Sequence, residues 1–196
     1  MLVTVALVLL GGLGSGLARL GWQMDPLSRD WIIVHGPLMI CGFLGTLIAL
    51  ERAVALAARY PWSVVVPLVN ASGALLLLVM RDAAAARLLL TAGSLGLVIL
   101  FGVMLRLHPS RDVVIMAAGA LCLLTGNGRW LAGAPVYEVV HLWTAFLILT
   151  IVGERLELSR VRRLTPTAEN LLTISVAVYL AGVVLTIFNL DAGIRV

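Results

Sequence analysis

The chain is predicted to fold as an all-α, polytopic membrane helix bundle, and three observations carry that prediction. Sixty-one per cent of its 196 residues are apolar, with a mean hydropathy of +1.08. Only 12% are charged, against roughly 25% in an ordinary globular domain. Apolar runs close to the about 20 residues that cross a bilayer core recur along the whole sequence. Short turns bearing Arg, Asp and Pro separate them, and no stretch reads as a soluble domain, so residues 1–196 are expected to form a single transmembrane domain.

Seven spans are expected, at about 2–21, 31–57, 62–80, 84–106, 112–132, 135–158 and 169–190. The first lacks a basic n-region and is longer than the roughly 7–15 apolar residues of a signal peptide, so it reads as a retained helix. Its "GGLGSG" run at 11–16 sets Gly12 and Gly16 in GxxxG spacing, a helix-packing surface and not a phosphate loop. The second contains "VHGPLMICGF", an imidazole, a proline, a thioether and a thiol in an otherwise apolar helix. Pro37 removes the partner of the Ile33 carbonyl and should bend the span locally. The third and fourth lie between the breaks "RYPW", "MRD" and "RLHPSRD". The fifth ends on "TGNGRW", where capping and snorkelling account for Asn127 and Arg129. The sixth opens after "AGAP" with "PVYEVVHLW" and runs into "ERLELSRVRRLTPT"; the seventh follows.

All 14 basic residues are arginine, scattered between apolar runs. That distribution argues against nucleic acid and for a lipid bilayer as partner. Counted by alternating side, Arg52, Arg59, Arg106, Arg111, Arg155, Arg160, Arg162 and Arg163 oppose Arg19, Arg29, Arg81, Arg87, Arg129 and Arg195, eight to six. The cluster after span six then places the N-terminus in the cytoplasm, in what is expected to be a bacterial inner membrane. Cys41 and Cys122 stand alone without metal-ligand spacing and read as inert packing groups.

"FLGTLIALER" at 43–52 and "FLILTIVGER" at 146–155 echo one another. Spans two and six run in the same direction, so the echo implies a parallel four-helix pseudo-repeat: repeat one about 1–107, a partial repeat two about 111–196, and the eighth helix missing. A homo-oligomer or a partner membrane subunit would fill that gap. Adjacent residues on a helix do not face each other, so the two Glu-Arg pairs should join across helices, Glu51 to Arg155 and Glu154 to Arg52.

Ionisable groups inside a bilayer cost about 2.5–3.5 kcal/mol on insertion scales and mark candidate sites. His35, Glu138 and His141 qualify. At 1.5 Å per residue His35 should lie roughly 6 Å and His141 roughly 9 Å below the outer face. Two imidazoles at similar depth on parallel helices could ligate one haem iron from opposite sides. Gly36 and Gly42 would admit the macrocycle or a neighbouring helix. Met39, one turn beyond His35, makes copper the alternative metal. Glu138 shares a helical face with His141 and could orient that imidazole or carry protons. Glu-x-x-His is also the spacing of di-iron bundles, but the second such motif and the further glutamates are missing.

"HGPLMICGF" resembles the His-Gly-x-x-Met segment in the second helix of haem-copper oxidase subunit I, whose histidine binds the low-spin haem. In that family the sixth span carries a copper-ligating histidine. His141 stands in the sixth span here, though in "PVYEVVHLW" the order of elements differs from the family's. The closer similarity is to NnrS-type haem- and copper-containing membrane proteins of nitric-oxide metabolism. Carried mainly by spans two and six, the resemblance implies haem b, with copper as the second candidate. The expected function is electron transfer, or binding of a diatomic gas such as nitric oxide or oxygen, at a haem held near the outer face by His35 and His141; no catalytic residue is defined, and an oxidoreductase component is the enzyme class this admits. The alternatives are a proton or metal transporter or channel built on the same three residues, and a non-catalytic scaffold subunit.

Overall fold

The computed structural model describes residues 1–22, 28–80, 84–159 and 165–193, with the side chains of 28–31, 166, 169 and 187–193 left aside. Arg81, Arg160, Arg162, Arg163 and Arg195, all used in the charge count, lie outside the described residues, as does the side chain of Arg29. Every regular element among the described residues is helical: α1 (Leu2–Arg19), α2 (Ser28–Pro37), a π-helical stretch (Leu38–Leu44), α3 (Gly45–Ala57), a 3₁₀ turn (Pro61–Val64), α4 (Val65–Met80), α5 (Ala84–Leu107), α6 (Arg111–Leu131), α7 (Val136–Ser159) and α8 (Pro166–Gly193). Backbone groups in hydrocarbon must be satisfied internally, which is why apolar runs of this length resolve into helices. Six helices are long and apolar enough to cross a membrane: Leu2–Arg19, Ile32–Ala57, Pro61–Met80, Ala84–Leu107, Arg111–Leu131 and Val136–Ser159. The chain is thus a polytopic helical bundle. In α8 the described apolar stretch is Asn170–Thr186.

Consecutive spans pack side by side. α1 lies on α2 and the π-helical stretch, α4 on α5, α5 on α6 and α6 on α7, while α8 leans on α7. Small residues set the close approaches. A Cβ on Gly12 would strike Met39 Sδ, and one on Gly16 would stand 2.9 Å from His35 Cε1, so the GxxxG face of α1 is the surface that receives span two. A Cβ on Gly93 would stand 3.0 Å from Asn70 Cα, bringing the α4 and α5 backbones together. Where α7 meets α6, a Cβ on Gly126 would sit 2.8 Å from the Trp143 ring.

Two helices, α1 and α6, end identically. Gly21 (φ +90°) closes α1 and Gly133 (φ +101°) closes α6. In each, the glycine N–H and the next N–H turn back to helix carbonyls: Gly21 to Ala18 and Trp22 to Leu17, Gly133 to Trp130 and Ala134 to Arg129. These are Schellman terminations, which need a residue that tolerates left-handed backbone.

Span two is continuous but not uniform. After Pro37 its hydrogen bonding widens over Leu38–Leu44, so that the Gly45 N–H reaches Ile40 O, five residues back. Pro37 was expected to bend the span; the structure shows a seven-residue π-helical stretch beginning directly after it.

Candidate functional site

A buried polar hub lies inside the bundle. Asn127 on α6 is fully buried. Its side-chain oxygen accepts from Trp143 Nε1 at 2.9 Å and from Cys41 Sγ at 3.2 Å, and its Nδ2 donates to Leu90 O at 3.2 Å. Asn70 on α4 donates to Cys41 O at 2.8 Å and to Thr46 Oγ1 at 2.8 Å. Two asparagines therefore hold Cys41 by its thiol and its carbonyl within the π-helical stretch, and five spans converge there. The expectation that capping accounts for Asn127 is corrected: it is an interior cross-link, satisfied on three sides because an unsatisfied amide in hydrocarbon costs several kcal/mol.

His35 faces α1. Its Nδ1 lies 2.8 Å from Gly12 O and 3.3 Å from Ser15 Oγ, which itself donates to Gly12 O at 2.7 Å. A carbonyl only accepts, so Nδ1 is the donor in this contact. Met39, a turn further on, packs against the same α1 glycine. Gly36 stands apart from this contact: a Cβ there would meet nothing within 4 Å.

His141 is placed differently. It lines a cavity of about 440 Å³ between α7 and α8, together with Thr144, Tyr179, Gly182 and Thr186. Its Nε2 is buried and has no hydrogen-bond partner. The two imidazoles thus have separate surroundings, His35 against α1 and His141 against α8. Among the described residues no group of three or more His, Cys, Asp or Glu side chains is placed to hold a metal ion.

Glu138 does not turn to His141. Its Oε2 lies 3.6 Å from Arg129 Nη2, pairing the start of α7 with the end of α6. This is a mutual neutralisation of two charges at one end of the bundle.

At the opposite end Arg52 is 4% exposed and gathers three carboxylates: Glu51 at 3.1 Å, Glu157 at 3.1 Å and Glu154 at 3.9 Å. Of the two expected cross-helix pairs, Arg52 with Glu154 forms at long range, whereas Glu51 turns back to its neighbour Arg52 and not to Arg155. The length of the arginine side chain explains how adjacent residues meet despite pointing apart at Cβ. Glu157, one turn beyond Glu154, was missed by pairing the two Glu-Arg dipeptides alone; the i, i+3 spacing in "ERLE" was the signal that could have found it.

The fold and these sites define a polytopic helical membrane protein with a polar hub, an orphaned imidazole and a buried arginine cluster. The chain belongs to the family described as Domain of unknown function (DUF8744), whose model matches residues 1–196. Neither the curated proteins nor the solved structures contain a match.

Proposed function

We propose that this chain is a haem-binding membrane protein in which His141 would hold the haem iron. The observation that carries this reading is the buried Nε2 of His141, without a partner, in a groove of about 440 Å³. A buried ring nitrogen left unsatisfied costs about 1–3 kcal/mol, a cost that ligation would remove. The haem would supply a one-electron couple, or an open iron position for nitric oxide or oxygen. The chain's own residues do the positioning. α7 presents the imidazole, and Tyr179 brings a phenolic hydroxyl to the same groove. Thr144 and Thr186 donate their hydroxyl hydrogens to Val140 O and Gly182 O, leaving acceptor lone pairs toward the cavity. His35, with Nδ1 held by Gly12, serves the docking of α1. Copper is the secondary metal of this reading.

The same reading takes α8 as a seventh span, the N-terminus as cytoplasmic in a bacterial inner membrane, and the two halves as a four-helix pseudo-repeat completed by a second copy or a partner subunit. The arginine balance supports the orientation. The meeting of Arg52 with Glu154, from the two echoed dipeptides, supports the repeat.

An optical spectrum of detergent-purified protein from haem-replete cells tests the proposal. A Soret band lost in His141→Ala and kept in His35→Ala is expected. Colourless wild-type protein overturns haem binding, and loss of the band in both variants returns the two-histidine arrangement. Metal analysis of the same sample decides copper.

A further inference from the structure

Span two is held unevenly on the two sides of its π-helical stretch. On the Arg52 side it is fastened to the bundle: Arg52 meets Glu154 and Glu157 of α7, and α3 packs on α4 and α5. On the His35 side the described polar contacts run to Gly12 and Ser15 of α1, and α2 packs on α1 and more lightly on α7. A cavity of about 630 Å³ separates α2 from the α6–α7 corner, with Ile33, Gly36 and Pro37 on one wall and Trp130, Pro135 and Tyr137 on the other. The α2 wall therefore has room to move: a Cβ on Gly36 would meet nothing within 4 Å.

The stretch that joins the two sides has the chemistry of a joint. Helices bend at proline and at π-helical turns, and here the two adjoin. Pro37 brings no N–H to the Ile33 carbonyl, so a change of angle there breaks one main-chain hydrogen bond fewer than in an unbroken helix. Within the stretch two carbonyls are held by side chains. Thr46 Oγ1 donates to Gly42 O, and Asn70 Nδ2 donates to Cys41 O at 2.8 Å. Asn70 also donates to Thr46 Oγ1 at 2.8 Å, so a single residue of α4 secures both contacts. Such side-chain bonds can open and close without unwinding the helix. Mid-helix π turns occur frequently at functional sites, and a hinge needs only a few residues that absorb the dihedral change.

We infer that Leu38–Leu44 is a hinge, latched by Asn70, on which Ile32–Pro37 moves against the α6–α7 corner and changes the width of the cavity between them. The neighbouring turn of α1 follows, carried by the contact of His35 with Gly12. The device is separate from the groove of His141 and does not depend on haem.

The test is double electron–electron resonance on the full chain in lipid nanodiscs. Nitroxide labels are placed on cysteines at Ile33 and at Leu121 of α6, both exposed, in a Cys122→Ala background; Cys41 is fully buried and stays. A second pair, on the exposed Val54 of α3 and Leu121, reports the Arg52 side. The first pair is expected to give a major and a minor distance, and Asn70→Leu to raise the minor population about fivefold. Pro37→Ala returns an N–H to the Ile33 carbonyl, and deletion of Ile40 removes the residue that the widened turn accommodates; each is expected to leave a single distance. The second pair is expected to keep one distance in every variant, and circular dichroism checks that each keeps its helix content. A single distance for the first pair in both wild-type and Asn70→Leu protein overturns the inference, as does a minor distance that persists after deletion of Ile40. Broadening of both pairs together also overturns it, by identifying general loosening in place of a hinge.

Discussion

Asn127 and Trp143 are joined by an indole N–H that donates to the amide oxygen at 2.9 Å, and neither residue has any exposure. The same oxygen accepts the thiol of Cys41, so one side-chain atom ties α6 to both α7 and the π-helical stretch.

Replacing Asn127 with leucine leaves Trp143 Nε1 and Cys41 Sγ without an acceptor. A loss of about 1–2 kcal/mol is expected, in line with side-chain hydrogen bonds between membrane helices. Thermal unfolding in detergent should show a lower midpoint for Asn127→Leu and a smaller shift for Cys41→Ala, since a thiol is a weak donor.

Glycine positions divide by what a methyl group would meet. Gly93→Ala forces α4 and α5 apart at Asn70 and is expected to cost about 1–3 kcal/mol. Gly102→Ala, where a Cβ meets nothing within 4 Å, is expected to gain about 0.5–1 kcal/mol from helix propensity. Unfolding midpoints of the two variants should move in opposite directions.

The Arg52 cluster is graded by distance. Double-mutant cycles should give a larger coupling for Arg52 with Glu157, at 3.1 Å, than for Arg52 with Glu154, at 3.9 Å. Both carboxylates are partly solvated, so the larger coupling is expected to be about 1 kcal/mol at most.

The docking of α1 rests on His35. His35→Leu removes the bond to Gly12 O, and Gly16→Ala pushes the imidazole away from it. Hydrogen exchange of the α1 amides should accelerate in both variants, with little change in α5 or α6.

The spans were legible in the sequence because length and apolarity alone decide whether a segment can cross hydrocarbon. The six that qualify begin and end within a few residues of the apolar runs. Gly12 and Gly16 were legible too, since small residues in this spacing let helices approach. The direction in which each histidine faces was not. In a soluble helix the polar face would have given it away, but lipid tails accept the same side chains as a protein core, so neither α2 nor α7 displays a contrast between faces. The hub was hidden for a related reason: a single asparagine in an apolar run looks like a helix-end residue until its partners on other helices are in view. Asn70, Asn127 and Trp143 are far apart in sequence, and nothing local connects them. The π-helical stretch left no mark either, as "LMICGFL" is compatible with α or π geometry.

That stretch has a consequence for the angular bookkeeping of span two. Widening the hydrogen-bond step by one residue inserts about 100° of rotation, the share of one residue in an α-helical turn. His35 and Arg52 lie on opposite sides of Leu38–Leu44, so the stretch acts as a phase adjuster between the end that docks α1 and the end that collects three glutamates. Deleting one residue inside it would let plain α geometry close the gap with both ends still correctly aimed. The same deletion between Thr46 and Arg52 would swing the guanidinium away from Glu157 and towards the lipid.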